Sequence, residues 1–501
     1  MTAGRPFRRL LVANRGEIAV RIIRACRELG IESIAVHSEA DVDALHVRLA
    51  DRSVLIGAAS PAASYLSIDR IVAAAREAGA DAVHPGYGFL SENAAFARAV
   101  EAAGIVFVGP PPAAIEALGD KLAARRAVAG AGVPLVPGLT VPLDDDVAID
   151  PAQLGFPIML KAAAGGGGRG MRRVNEAGEL AAALAVARRE AQTAFGDATV
   201  YAERLISPAR HVEIQLLGDQ HGHLVCLGER DCSVQRRNQK LVEESPSPAV
   251  TPQLRAAMFD CARRVAGTVA FHSAATVEFL LDVAGDHYFL EMNTRLQVEH
   301  GVTELVTGLD LVAWQIRIAA GEPLPDDLTD RTPSGHAIEV RLYAEDPWDG
   351  FRPVAGNVSA FRMPDGPGVR VDAGVEAGTR LPVDYDPLLA KLLVHAADRP
   401  AAIARLRRAL DETLIGGVQT DAGFLRWLVD DDAFASGDYD TGLIAERWRD
   451  GPAADPAQLA IAGAVALAAR IDAPASVAGA APIAAGVRPW TDAARREGLS
   501  R

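Results

Sequence analysis

Over the first 118 residues, short continuous apolar runs alternate with stretches whose apolar positions recur at helical spacing. "RRLLVA" predicts a buried strand, "GEIAVRIIRACREL" an amphipathic helix closed by Gly30, and "ESIAVHS" a second strand. The cycle repeats as helix "IDRIVAAAREA", strand "DAVHP", helix "NAAFARAVEAA" and strand "IVFVGP". Strands alternating with helices predict a parallel, doubly wound sheet over residues 1–118. Its first strand–helix turn, "ANRGE", holds one glycine and no G-x-G-x-x-G, which disfavours a dinucleotide site.

Beyond it the pattern changes to longer strands. "HVEIQLLG", "HLVCLGERDCS", "AATVEFLLD" and "HYFLEMNTRLQVEH" belong to a second region, residues 119–330, whose segment at about 135–205 holds a glycine run. "HAIEVRLYAED" opens a third region, 331–447, and residues 448–501 form an alanine-rich tail or linker. The expected class is α/β followed by α+β.

Composition narrows the function. A net charge of −14 argues against nucleic acid or anionic membrane as the main partner. No apolar run reaches the roughly 18 residues of a membrane span. Four cysteines (Cys26, Cys226, Cys232, Cys261) form no C-x-x-C pair, which points to a reducing cytoplasm. Of 51 cationic residues only Lys121, Lys161, Lys240 and Lys391 are lysines. In a chain that otherwise uses arginine, these mark places suited to a compact ammonium.

"KAAAGGGGRGM" sets four glycines between two cations. Without Cβ atoms such a run brings backbone amides onto phosphate oxygens and folds over a nucleotide, so a mobile phosphate lid is expected. Lys161 ends the extended "FPIMLK" and is expected to point toward the same phosphates. In "YFLEMNTRLQVEH", an extended chain would align Glu291, Asn293, Arg295, Gln297 and Glu299 on one face. A tight turn at Ala284-Gly285 would set Glu278 across from Glu291. Opposed carboxylates repel unless a cation lies between them, and oxygen ligands from Glu278, Glu291 and Asn293 suit Mg²⁺. Arg295 and Gln297 would hold a small anion beside Glu299, a candidate general base.

"VANRGEIAVRIIRACRELG", "HPGYGFLSENAAFA", "GDK", "KAAAGGGGRGM", "RHVEIQ", "GERDCSVQRRNQK", "EMNTRLQVEH" and "GHAIEVRLYAEDP", in this order over about residues 7–447, resemble the ATP-grasp enzymes and specifically biotin carboxylase. The resemblance implies an ATP-grasp fold with a glycine-rich lid and a C-terminal biotin-carboxylase domain. The implied activity is ATP-dependent carboxylation of biotin by bicarbonate, via carboxyphosphate, as in the α-subunits of acetyl-, propionyl- and methylcrotonyl-CoA carboxylases. By motif, Lys121 and Lys161 would bind ATP phosphates under Gly167 and Gly168. Glu203 and the backbone near Leu205 would hold the adenine side, and His211, Gln235 and Asn238 the ribose side. Glu278, Glu291 and Asn293 would carry Mg²⁺ or Mn²⁺. Lys240, Arg295, Gln297 and the Val298 amide would hold bicarbonate beside the base Glu299, and Arg341 would stabilise the biotin enolate.

Biotin would arrive on a carrier protein or segment, since no lysine follows Lys391. A carboxyltransferase β-subunit and a homodimer or larger complex are the other implied partners. The competing readings are another ATP-grasp carboxylate–amine ligase and an idle scaffold. Two positions depart from the family pattern. Asn238 stands in "RRNQK" where histidine is common, and its amide can also hydrogen-bond a hydroxyl. Gly301 follows "VEH" where proline is common, and is expected to loosen the turn behind Glu299.

Overall fold

The structure, a computed structural model, describes residues 7–139, 143, 154–163 and 170–448. The N-terminal sheet is wholly parallel, in the order β3-β2-β1-β4-β5, from β1 (Arg9–Val12), β2 (Glu32–Ser38), β3 (Arg52–Gly57), β4 (Ala82–His84) and β5 (Val106–Phe107). Helices Gly16–Glu28, Ile68–Glu77 and Ala94–Ala102 form where the periodicity places them, the last capped by Asn93 Oδ1 on the Phe96 amide. β3 escaped the hydrophobic pattern because it is an edge strand, exposed along half its length.

A small antiparallel sheet follows, ordered β7-β6-β8, from β6 (Ile158–Ala162), β7 (Met171–Val174) and β8 (Val200–Arg204). Ile158, Leu160, Val174, Val200 and Ala202 pack with Leu184, Ala187 and Ala191 of helix Leu180–Phe195.

The site is built on an eight-stranded antiparallel sheet. Its strands are β9 (Ala209–Gly218), β10 (Leu224–Arg236), β11 (Gln239–Ser245), β12 (Ser273–Asp282), β13 (His287–Asn293) and β14 (His336–Tyr343), with Leu388–Ala396 and Val369–Ala373 continuing beyond β14. The spatial order β13-β12-β9-β10-β11-β14 brings together strands far apart in the chain. Side-chain alternation sorts the two faces. Val212, Ile214, Val277, Phe279 and Met292 pack on helix Pro252–Ala266, whose Met258, Phe259, Ala262 and Val265 join the same core. Further along, Ile338, Val340, Leu392 and Val394 pack against helix Arg399–Glu412. The opposite face carries His211, Glu213, Gln215, Thr276, Glu278, Glu339 and Arg341, all buried. Residues 294–299 and helix His300–Thr307 cover it. A sheet with one apolar and one buried charged face must satisfy those charges internally.

Candidate active site

The turn around Ala284 and Gly285, the latter at φ +89°, sets the register of β12 and β13. Glu278 stands directly opposite Glu291, and Thr276 opposite Asn293, with a bulge after Glu278. On its other side Glu278 faces Glu213 of β9, which faces Arg230 of β10. One row across four strands therefore reads Glu291, Glu278, Glu213, Arg230.

The expectation of five aligned side chains from Glu291 to Glu299 is corrected. β13 ends at Asn293, and the chain turns so that the helix starting at His300 can cover the charged face. Leu296 stays in the apolar core. Arg295 bonds Glu92 Oε2 through Nε (2.9 Å) and donates to Asn293 Oδ1 (2.9 Å). Gln297 returns over the sheet to donate to Glu278 Oε1 (2.9 Å). The functional groups still converge, through a turn and not through pleat alternation.

Lys240 is the hub. Its Nζ lies 2.6 Å from Glu213 Oε2, 2.9 Å from Glu278 Oε1 and 2.7 Å from Glu299 Oε1. The Arg341 guanidinium donates to Glu299 Oε2 (2.9 Å) and also pairs with Glu243. Burial alone would raise the Glu299 carboxyl, but Lys240, Arg341 and Arg230 hold it well below the usual range. Glu278 follows the same logic. Burial is outweighed by Lys240 and by His211, whose Nε2 is 2.8 Å from Glu278 Oε2. Burial would lower the His211 imidazole, yet Glu278 leaves it raised. These carboxylates are ionised at neutral pH and gripped by cations.

Lys121 opens helix Lys121–Gly130, capped by Asp120, and its Nζ is 3.3 Å from Glu291 Oε2. Lys161 on β6 meets Glu203 Oε2 at 2.5 Å, and Arg125 pairs with the same carboxylate. The Leu205 amide is committed internally, donating to Pro157 O at 3.1 Å. Gln235 faces Lys240 across the hairpin joining β10 to β11. The two loop residues of that hairpin, Arg237 (φ +48°) and Asn238 (φ +66°), are both left-handed and exposed. Asparagine tolerates that backbone better than most side chains, a local reason for Asn238. Gly167 and Gly168, like the tail after residue 448, lie outside the described residues.

Gly301 does not loosen a turn. It sits buried in the first turn of helix His300–Thr307, where a Cβ would lie 2.4 Å from Leu393 Cδ2. The close approach of helix to sheet requires it.

Sequence reasoning missed Glu213 and Arg230, and marked Lys391 without giving it a role. Arg230 is wholly buried and bonds Glu213 Oε1 (2.5 Å), Gln215 Oε1 (2.7 Å), Thr303 Oγ1 (2.9 Å), Thr276 Oγ1 (3.1 Å) and Gln297 Oε1 (2.6 Å). Alternation in "HVEIQ", polar on His211, Glu213 and Gln215, was the available signal. Lys391 donates to Val298 O (2.7 Å), so all four lysines serve this region.

The donors fit a magnesium ion. Glu278, Glu291 and Asn293 share one face of a two-strand ribbon and offer hard oxygen ligands. The groups His211–Glu213–Glu278 and Glu213–Cys232–Glu299 also lie close together. Both groups need Glu213, whose two carboxylate oxygens are taken by Arg230 and Lys240.

Family models match residues 6–115 (biotin carboxylase, N-terminal domain), 120–327 (carbamoyl-phosphate synthase L chain, ATP binding domain) and 339–446 (biotin carboxylase C-terminal domain). The biotin carboxylase of Halalkalibacterium halodurans is 48% identical over 88% of this chain and 98% of its own. The propionyl-CoA carboxylase alpha chain of Ruegeria pomeroyi is 47% identical over 89% of this chain and 69% of its own. The biotin carboxylase domain dimer of Hydrogenobacter thermophilus 2-oxoglutarate carboxylase was solved with MgADP, ADP and bicarbonate. It superposes with a TM-score of 0.86 at 44% identity, covering 90% of this chain and 99% of that one.

Proposed function

Because this chain belongs to the biotin carboxylase family, we propose that it carboxylates biotin with bicarbonate and ATP through carboxyphosphate. The observation that carries the mechanism is Glu299, ionised and gripped by Lys240 at 2.7 Å and Arg341 at 2.9 Å. Entering bicarbonate draws Lys240 and Arg341 away from Glu299, the released buried carboxylate regains basicity and takes the bicarbonate proton, and Lys240, Gln297 and Arg295 hold the resulting dianion. A bicarbonate oxygen then attacks the γ-phosphorus, the bond to the β–γ bridging oxygen breaks, and ADP leaves. Lys121 and Lys161 exchange their carboxylate partners for phosphate oxygens and neutralise charge on the transferring group. Magnesium, held by Glu278, Glu291 and Asn293, would supply Lewis-acid charge neutralisation at the phosphates.

Carboxyphosphate breaks down to carbon dioxide and phosphate, and the phosphate removes the biotin N–H proton. Arg341 balances the enolate oxygen while the nitrogen attacks carbon dioxide.

The physiological acceptor is biotin on a carrier protein or segment, and a carboxyltransferase consumes the product. A homodimer within a larger complex is the proposed assembly. No described helix is long and apolar enough to cross a membrane, and all four cysteines are free thiols. Four buried free thiols suit a reducing compartment, and we propose the cytoplasm. The deciding experiment is ATP hydrolysis with and without bicarbonate and free biotin. Turnover requiring both, with carboxybiotin formed, supports the reading, and turnover indifferent to bicarbonate overturns it.

A further inference from the structure

Two buried donors hold the turn Gln297–Glu299 by its carbonyls. His300 Nδ1 lies 2.9 Å from Gln297 O, and Lys391 Nζ donates to Val298 O at 2.7 Å. Both side chains are wholly buried. A carbonyl only accepts, so the His300 ring carries its proton on Nδ1. Burial and the nearby Lys391, Arg21 and Arg370 keep that ring neutral.

A trans peptide is planar, with C=O and N–H pointing in opposite directions. Fixing the Gln297 carbonyl toward His300 therefore directs the Val298 N–H away from that ring. Fixing the Val298 carbonyl toward Lys391 sets the next peptide, which carries Glu299. The lysine is anchored from two sides, 3.4 Å from Glu17 Oε1 and 3.7 Å from Asp372 Oδ2, and Tyr87 donates to the same Glu17 oxygen. Glu17 and Tyr87 belong to "ANRGE" and "HPGYGF", motifs that have no other role in the chemistry above. A buried ammonium is costly where an apolar side chain of the same length would pack without charge. The carbonyl anchor supplies a reason for it.

We propose that His300 and Lys391 are positioning residues that set bicarbonate affinity by aiming the Val298 amide and the Glu299 backbone, without touching either substrate. This rests on the reading that the Val298 amide and Glu299 receive bicarbonate.

The test is steady-state kinetics of bicarbonate-dependent ATP cleavage with free biotin, on the full chain. His300→Ala removes one anchor. Lys391→Met combined with Glu17→Gln removes the other while leaving Glu17 uncharged. His300→Asn restores an N–H donor near the position of Nδ1. The expected result is a KM for bicarbonate raised tenfold or more in H300A and K391M/E17Q, a KM for ATP within twofold of wild type, and H300N within threefold of wild type for both. Should H300A fail to fold, the H300N and K391M/E17Q pair decides. Unchanged bicarbonate KM in the folded variants, or equal loss for ATP and bicarbonate, would overturn the inference. Wild-type turnover that ignores bicarbonate would instead overturn the functional reading, and the inference with it.

Discussion

Glu278 and Glu291 face each other directly across β12 and β13, yet each is neutralised by a different lysine, Lys240 on the first and Lys121 on the second. Glu278 is buried and accepts from His211, Lys240, Asn293 and Gln297. Glu291 is half-buried and its carboxylate is paired with Lys121. The same substitution should therefore do different things at the two sites. Glu291→Gln is expected to raise the magnesium requirement about 10–100-fold with little change in melting temperature. Glu278→Gln should lose activity and also about 2–3 kcal/mol of stability, because charged donors lose their acceptor. Magnesium titration of ATP turnover beside thermal unfolding separates the two.

Glu299→Gln removes the proposed base while keeping the shape of the site. ATP turnover should fall about 10²–10⁴-fold, and nucleotide binding followed by calorimetry should stay within a few-fold. Undiminished turnover would remove Glu299 from the mechanism.

Arg230 has no contact with solvent and serves five acceptors. Arg230→Met leaves Glu213 with one cation in place of two, and should cost about 3–5 kcal/mol in urea unfolding. Adding Glu213→Gln should recover part of that loss, since the stranded charge disappears. Equal instability of single and double variants would contradict this account.

Acid stability has an identifiable contributor away from the reaction centre. Burial would raise Glu244, but His336 Nε2 at 2.6 Å and Arg399 Nε at 2.7 Å lower it to about 2 from 4.5. A carboxyl depressed on folding stabilises the protein above its unfolded pKa and loses that stabilisation as pH falls toward the folded one. The contribution, about 3 kcal/mol, should be intact at pH 5 and largely gone near pH 2. Glu244→Gln should narrow the stability gap between pH 5 and pH 2, measured by denaturant midpoints.

Gly301→Ala forces a Cβ to within 2.4 Å of Leu393 Cδ2, and Leu393 is itself wholly buried. A loss of about 1–3 kcal/mol is expected. Leu393→Val in the same chain should restore much of it, a coupling that a double-mutant cycle measures directly.

Much of this protein is written locally. Alternating strands and helices predicted the parallel N-terminal sheet, and the Ala284-Gly285 turn predicted the facing of Glu278 and Glu291, because a short hairpin loop fixes register between its own strands. Lysine scarcity pointed at Lys121, Lys161, Lys240 and Lys391, without telling what any of them would pair with. Period-two reading failed after Asn293, where covering the charged face outweighs continuing the strand.

The partners of Lys240, Arg230 and Lys391 were decided by tertiary structure alone. Glu213, Glu278 and Glu299 reach one ammonium from β9, β12 and the turn before His300, and Lys391 meets Val298 across 93 residues. Periodicity tells which face a side chain takes within its own strand. It carries no information about which distant strand lies alongside, and at a buried charged face that neighbour decides whether a carboxylate is a ligand, a base or a counter-ion.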